Sequence, residues 1–382
     1  MSMRIVFTSN GTLTHFAGMT NRSVSLANNI VNFNKDVLFF TFLNKRDDID
    51  PRIRVIEYTP LNLDFGIFYA LSERYGLRKY VFSQLVSKQL QNINPDIVCV
   101  DHAPMDLYAV MARNSIGFKL VYTYHSVEDP NLHLGKLRKD LEKLQKRAYQ
   151  VASDADLVIA VSSFLERQLS EVGIESTVVY NGVNTELFRP RILNSSIYKI
   201  GVPTILYVGR LVKFKGVNLL IKAFRKVKRE IPEACLYVVG STPDKKSIDD
   251  WNEIEALSRG LEKSIFFLGN VGDQLLSILY SISDLFVCAS LYEGFGMPFL
   301  EAESCGVPCV GFNTSAIPEV VINKTTGILV EKGNIDKLAD ATVSLLRDSE
   351  CRRKMSIAAR KHAERFDWRT LSMQLYNKLI NL

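Results

Sequence analysis

Ser290-Leu-Tyr-Glu293-Gly-Phe-Gly-Met-Pro298-Phe-Leu-Glu301-Ala302 follows the short apolar run Asp284-Leu-Phe-Val-Cys-Ala289. That run, bounded by polar residues, reads as a buried parallel strand. At its carboxyl end Gly294 and Gly296 let the backbone turn tightly, and Pro298 suits the first position of a helix. The free N–H groups and positive dipole end of such a helix favour phosphate oxygens. Glu301, about one turn inside, is placed to accept hydrogen bonds from vicinal hydroxyls such as those of a ribose, and Glu293 stays available for a second polyol. Either glutamate alone reads equally as a residue complementing the helix dipole. The whole string is harder to explain that way.

A second segment repeats the pattern. Thr204-Ile-Leu-Tyr-Val-Gly209-Arg210-Leu-Val-Lys-Phe-Lys215-Gly216 reads as strand, glycine turn and the start of an amphipathic helix. Arg210 and Lys215 flank the turn. Two cations at the carboxyl end of a strand can hold a diphosphate and stabilise the charge that builds on it as it departs. A single basic residue there would read as a solvated turn.

Three features stand out: Gly209-Arg210-Leu211 before Lys215-Gly216, Glu293 and Glu301 with seven residues between them that begin with Gly-Phe-Gly, and Asn181-Gly-Val-Asn184-Thr-Glu-Leu-Phe188-Arg-Pro190. Together they resemble the family 4 retaining glycosyltransferases (glycosyl transferases group 1). The likeness runs over most of the chain and is dense between Tyr180 and Val330. It implies an α/β fold of the GT-B type, two Rossmann-like domains facing across a cleft, with the C-terminal helix returning to the first domain. It also implies transfer of a sugar from a UDP- or GDP-sugar to a hydroxyl of a glycan or lipid-linked acceptor, with retention of configuration.

The same resemblance implies roles. Arg210 and Lys215 would stabilise the leaving diphosphate, Glu293 would orient hydroxyls of the donor sugar, and His125 would bond the transferred sugar. Glu301 would hold the ribose and the amides at Phe295 and Gly296 the phosphates, while Gly209, Gly240 and Val271 would frame the rest of the donor. No cofactor is expected, since the nucleotide sugar is a co-substrate. No metal is expected either, because two cations and a helix end supply the charge stabilisation an ion would otherwise provide. Retention normally suggests a carboxylate nucleophile about 5 Å from an acid/base partner. No motif places one on the first domain, so a front-face path is expected, in which the departing diphosphate takes the acceptor proton.

First-domain signals are sparser. Val98-Cys-Val-Asp101-His102 and Val121-Tyr-Thr-Tyr-His125 each end a strand with histidine. His102 reads equally as a satisfied loop histidine, whereas the strand-end position of His125 favours a role in the site. After the first strand the family presents a Gly-Gly pair, matched here by Ala17-Gly18; the extra methyl puts a direct backbone contact in question. Gly18 and Arg22 are the acceptor-side candidates of this segment, with His102.

Alternation of strands and helices argues a doubly wound architecture. The pattern predicts strands near 5–8, 36–41, 54–57, 97–100, 119–123, 157–161 and 177–180. It restarts at 204–208, 234–239, 264–268, 285–289 and 307–311. The restart predicts a first, acceptor domain over 1–185 completed by the helix at 367–382, and a donor domain over 186–366.

The 382 residues, 47% of them hydrophobic, suffice for two cores. The chain opens directly into a strand, with no signal-peptide pattern and no apolar run near the roughly 20 residues of a membrane span, so a cytoplasmic place is expected. Six cysteines in mainly apolar settings fit reduced thiols. A net charge of +6 is mild for the length and does not demand nucleic acid. Locally, Lys136, Arg138, Lys139, Lys143, Lys146 and Arg147 share a helix with Leu137, Leu141, Leu144 and Ala148. Such a helix, 136–147, reads either as peripheral contact with the anionic inner face of the membrane or as a surface helix burying its leucines. Asp154-Ala-Asp156 has the spelling of a metal motif but sits at a helix-to-strand junction. A nicotinamide dehydrogenase is disfavoured because no Gly-x-Gly-x-x-Gly follows the first strand. A sugar-nucleotide-binding module without productive acceptor chemistry is the alternative from another class.

Overall fold

The computed structural model describes residues 3–12, 18–43, 48–57, 87–101, 105–125, 129–133, 135–191, 202–241 and 248–382. The chain divides into two compact units, Met1–Asn181 with Trp368–Leu382, and Gly182–Asp367.

The first unit is built on a seven-stranded parallel sheet in the order β3-β2-β1-β4-β5-β6-β7. Its strands are β1 (Ile5–Thr12), β2 (Val37–Leu43), β3 (Arg54–Glu57), β4 (Ile97–Val100), β5 (Lys119–Tyr124), β6 (Leu157–Ala160) and β7 (Thr177–Val178). Its helices are α1 (Gly18–Ile30), α2 (Met105–Ile116), α3 (Gly135–Asp154) and α4 (Ser163–Ser170). The runs Ile97-Val-Cys-Val and Leu120-Val-Tyr-Thr-Tyr are buried throughout, as strands covered on both faces must be. The C-terminal helix, α12 (Trp368–Leu379), joins this unit: Trp368, Leu375 and Leu379 lie in one apolar cluster with Val24, Ala27 and Ile30 of α1. Asp156 is a structural tie, its carboxylate accepting from the Arg113 guanidinium at 2.8 Å and from the Leu120 N–H at 2.8 Å.

The second unit carries a six-stranded parallel sheet in the order β10-β9-β8-β11-β12-β13. The strands are β8 (Thr204–Val208), β9 (Cys235–Val239), β10 (Ile265–Gly269), β11 (Leu285–Cys288), β12 (Cys309–Phe312) and β13 (Gly327–Val330). Around them run α5 (Val217–Glu230), α6 (Ile248–Ser258), α7 (Asp273–Ile282), α8 (Met297–Ser304), α9 (Ile317–Val320), α10 (Ile335–Arg347) and α11 (Ser349–Ala363). α5 buries Val217, Leu220, Ile221, Phe224 and Val227, a spacing that lines one face of a helix. α8 packs through Phe299 edge-on against Phe286 of β11, ring centroids 5.1 Å apart. A side chain at Gly311 would bring its Cβ to 2.9 Å from the Phe299 ring, so that glycine keeps α8 close to the sheet.

Both sheets reverse their strand order beside the first strand of the unit, β1 or β8, which is where open parallel sheets present ligand crevices. Three details depart from the sequence reading. β13 was not foreseen. Pro298 is the second residue of its helix, not the first. Residues 182–185, expected in the first domain, pack in the second unit: the Val183 N–H donates to Phe366 O at 2.9 Å, and the Thr185 hydroxyl donates to the Asp367 carboxylate.

Candidate active site

The second unit brings its glycine loops together at the carboxyl ends of β8, β9 and β10. The Gly209 N–H donates to Val239 O at 3.0 Å and the Gly240 N–H to Gly269 O at 2.9 Å. A Cβ on Gly240 would stand 1.9 Å from Gly209 O, so the two loops touch through bare backbone. Val271, two residues past β10, is half-buried beside them. The buried Tyr207 hydroxyl donates to Arg210 O at 3.1 Å and so shapes the turn that presents Arg210.

Across the switch point, the loop after β8 meets the loop after β11. Lys213–Lys215 forms a single 3-10 turn closed by Gly216 in the left-handed region at φ 70°. The Leu291 N–H donates to Phe214 O at 2.9 Å. Lys215 Nζ lies 2.8 Å from Glu293 Oε1, although 78 residues separate them in sequence. The side chains of this pair are only 18% and 10% exposed, so water screens it little. Glu293 is held on its backbone side as well, its N–H donating to the Ser315 hydroxyl at 2.9 Å while its carbonyl accepts from Ala316. Arg210 is exposed, with its guanidinium carbon 5.1 Å from the centroid of the Phe214 ring.

Glu301 sits half-buried on α8 and accepts a hydrogen bond from the Tyr280 hydroxyl at 3.0 Å. Burial of its carboxyl pushes its pKa up to about 8, against the opposing pull of the Tyr280 bond. Gly296 caps the helix start at φ 106° with no side-chain bond to the first turn. Phe295 is buried, 6.0 Å from the Phe366 ring, so at that position only the backbone is offered to a ligand. At the other end of α8, Glu303 is fully buried with Oε2 2.8 Å from His362 Nδ1, and the Arg360 guanidinium donates to Ser304 O at 2.8 Å.

The structure thus places Gly209, Arg210, Lys215, Gly240, Val271, Glu293, Phe295 and Gly296 in the loops that follow the carboxyl ends of β8, β9, β10 and β11, with Glu301 on the helix that starts from the last of them. Sequence reading missed Phe214, Tyr280, Tyr207 and Ser315, which place those residues. None carries a motif, and only the hydroxyl of Ser315 in a left-handed, non-glycine backbone at φ 48° marks an unusual position.

In the first unit, His125 follows β5 and is half-buried. Gly18 opens α1. Arg22 corrects an expectation: no part of it is exposed, and Nη1 donates to Tyr180 O at 2.9 Å and Asn181 Oδ1 at 2.8 Å. Burial lowers its pKa to about 10, with the Asp101 charge opposing. α1 lies over the sheet and turns this residue inward, so Arg22 ties α1 to the end of the unit and is not displayed to an acceptor. Ala17 and His102 lie outside the described residues.

Comparison with known proteins agrees with this geometry. Glycosyltransferase Family 4 matches residues 16–187, and Glycosyl transferases group 1 matches residues 191–362. D-inositol 3-phosphate glycosyltransferase of Corynebacterium aurimucosum is 30% identical over 285 residues, covering 70% of this chain and 67% of that protein. The chain belongs to glycosyltransferase family 4.

This glycosyltransferase is also similar to the GDP-mannose-dependent alpha-(1-6)-phosphatidylinositol monomannoside mannosyltransferase of Mycolicibacterium smegmatis, 27% identical over 289 residues, with 72% of this chain and 73% of that protein covered. Its fold matches that of Anabaena HepE, solved with UDP and glucose, at a TM-score of 0.79 and 21% identity with both chains covered completely. The enzyme therefore has the GT-B fold and works from a nucleotide-sugar donor, in a family of retaining hexosyltransferases.

Proposed function

We propose that the glycosyltransferase moves a hexose from a UDP- or GDP-sugar to a hydroxyl of a glycan or glycolipid, with the donor held by the second unit. The observation that carries this reading is the Lys215–Glu293 pair beside Arg210 at the switch point of the second sheet. A diphosphate there would take charge-assisted bonds from both cations, and Glu293, still fixed by Ser315, would turn to hydroxyls of the sugar. The C1–O bond to the diphosphate breaks as the acceptor oxygen bonds to C1 on the same face, and the acceptor proton passes to a diphosphate oxygen. Lys215 and Arg210 stabilise the charge released, and no metal ion is assigned to the step. His125, at the end of a first-unit strand, is assigned to the transferred sugar by its match to the family motif. Thermal shift against a panel of UDP- and GDP-sugars, followed by hydrolysis of the best binder, tests the reading. One donor should raise the melting temperature and be slowly hydrolysed without acceptor; a panel that neither binds nor turns over would refute it.

Glu301 is assigned to the ribose, and this has a pH signature. With its pKa at about 8, Glu301 is largely protonated at neutral pH and must lose a proton to accept two ribose hydroxyl bonds. Donor affinity should therefore rise with pH up to about 8 and level off above it, by up to about tenfold per unit below that point. Titration of a UDP-sugar into wild type and Glu301→Gln between pH 6.5 and 9 checks this. Parallel profiles in the two proteins would remove the assignment.

A peripheral membrane contact is proposed for α3. Leu141 and Ala148 are buried, but Leu137 and Leu144 are 52% and 46% exposed among basic residues. Exposed leucines amid lysines suit an anionic lipid surface better than water. No described helix is long and apolar enough to cross a membrane. Vesicles containing phosphatidylglycerol should float with the wild-type protein and not with Leu137→Ser/Leu144→Ser; equal flotation of both would exclude this helix as the contact.

A further inference from the structure

We propose that Phe214 is a positioning residue of the donor site, its ring holding Arg210 and Lys215 together as one diphosphate-gripping unit through cation–π attraction. The inference rests on the donor-site reading above and adds a residue that carries no charge and no hydrogen-bonding side chain.

Arg210 Cζ lies 5.1 Å and Lys215 Nζ 5.2 Å from the centroid of the same ring, and both stand over it. Each distance falls inside the roughly 6 Å reach at which the negative face of an aromatic ring attracts a cation. Phe214 is only 6% exposed and the Lys215 side chain 18%, so water screens the Lys215 contact least, while Arg210 covers the ring from the solvent side. The backbone fixes where the ring stands. Lys215 N–H donates to Val212 O and Gly216 N–H to Lys213 O, both at 3.0 Å, closing the turn, while Phe214 O accepts from Leu291 in the loop that leads to Glu293. Phe214 is therefore the joint between the cation-bearing loop and the carboxylate-bearing loop.

Two like charges destined for one diphosphate repel each other before it arrives. Glu293 answers Lys215 directly at 2.8 Å. A second carboxylate beside Arg210 would quench the repulsion and also compete with phosphate. An aromatic face offsets both charges without competing, because the cations rest on the ring while their N–H groups stay free to donate to phosphate oxygens, so the contact persists when the diphosphate binds. The plain alternative is that Phe214 only fills space under the turn, in which case any apolar group of similar volume would serve.

Fluorination separates the two, since it drains the ring quadrupole in steps while leaving its shape nearly unchanged. Incorporation of 4-fluoro-, 3,5-difluoro- and 3,4,5-trifluorophenylalanine at position 214 of the full chain is expected to raise the Kd for the tighter of UDP and GDP, and for inorganic pyrophosphate, in a graded series of about tenfold in total. The melting temperature should stay level across the series. Phe214→Leu should bind as weakly as the trifluoro protein, and Phe214→Tyr should restore affinity. A Kd that stays flat across the series, or that rises only in step with a falling melting temperature, overturns the inference. Arg210→Ala and Lys215→Ala in the same titration keep the two levels apart: if both bind the nucleotide as wild type does, it is the donor-site reading that fails, whatever the ring series shows.

Discussion

Lys215→Ala is expected to lower kcat by at least ~10²-fold, the size of effect that follows loss of one electrostatic stabiliser of a developing charge. Two consequences combine in this variant. The amine proposed to face the departing diphosphate is gone, and Glu293, only 8% exposed, loses the cation 2.8 Å from its Oε1. A carboxylate left unpaired in a mostly buried place is costly, so a modest fall in melting temperature should accompany the kinetic defect. Glu293→Gln in the Lys215→Ala background should recover the stability without recovering turnover. Arg210→Ala should give a kinetic defect of similar size with little change in stability, because that residue is exposed. The two substitutions together should cost less than the sum of the single effects, since both act on one leaving group. Near-normal single-turnover rates in Lys215→Ala would take the leaving-group role away from this residue.

Gly216→Ala should be the most disruptive small substitution in the second unit. Gly216 has φ 70°, and a Cβ built on it would stand 1.8 Å from the carbonyl oxygen of Ala289 and 3.0 Å from its Cβ. The left-handed backbone alone costs a residue with a Cβ about 1–2 kcal/mol. The collision adds a backbone displacement worth about 1–3 kcal/mol, because the obstructing atom is main chain at the end of β11 and has no rotamer to change. A combined loss near 3 kcal/mol corresponds to a fall of about 10 °C for a unit of this size. Nucleotide binding should weaken as well, because the same contact sets the distance between the Lys215 and Glu293 loops. Gly333→Ala is the internal control: φ is 80° there too, but nothing lies within 4 Å of the added carbon, so only the strain of the left-handed region remains. Equal melting temperatures for the two variants would show that the approach of the loop to β11 is not obligatory.

Much of the architecture was readable because parallel strands buried on both faces leave unbroken apolar runs. Arg54–Glu57, Ile97–Val100 and Thr204–Val208 appear with the bounds the pattern predicts. β13 escaped because Gly327-Ile-Leu-Val is four residues long and opens on glycine. Its place depends on pairing with β12, Cys309 opposite Gly327, where a Cβ on the glycine would collide with Cys309 O at 2.1 Å. That glycine is a packing requirement a linear reading sees only as a break. Arg22 shows the opposite failure. A basic residue one turn into a helix after a strand looks like a ligand, and its burial against Tyr180 and Asn181, more than 150 positions later, has no local mark. The leucines of α3 likewise repeat at helical spacing, yet only the packing decides that Leu141 turns inward while Leu137 and Leu144 do not.

The amino-acid sequence alone determined which loops bring glycine and charged residues to the carboxyl ends of the strands. Glycine, basic and acidic residues directly after apolar strands can only lie at the carboxyl ends of a parallel sheet, and local rules of turn and helix start reach that far. Tertiary structure decided which of those loops become neighbours. Lys215 and Glu293 share an ion pair because the strand order reverses between β8 and β11, Glu301 becomes a weaker acid because burial penalises its charge more than the Tyr280 hydrogen bond favours it, and Phe214 meets two cations because the loop after β8 brings Arg210 back over the 3-10 turn that carries Lys215. Each is a contact or a desolvation, and such quantities exist only once distant segments have excluded water between them.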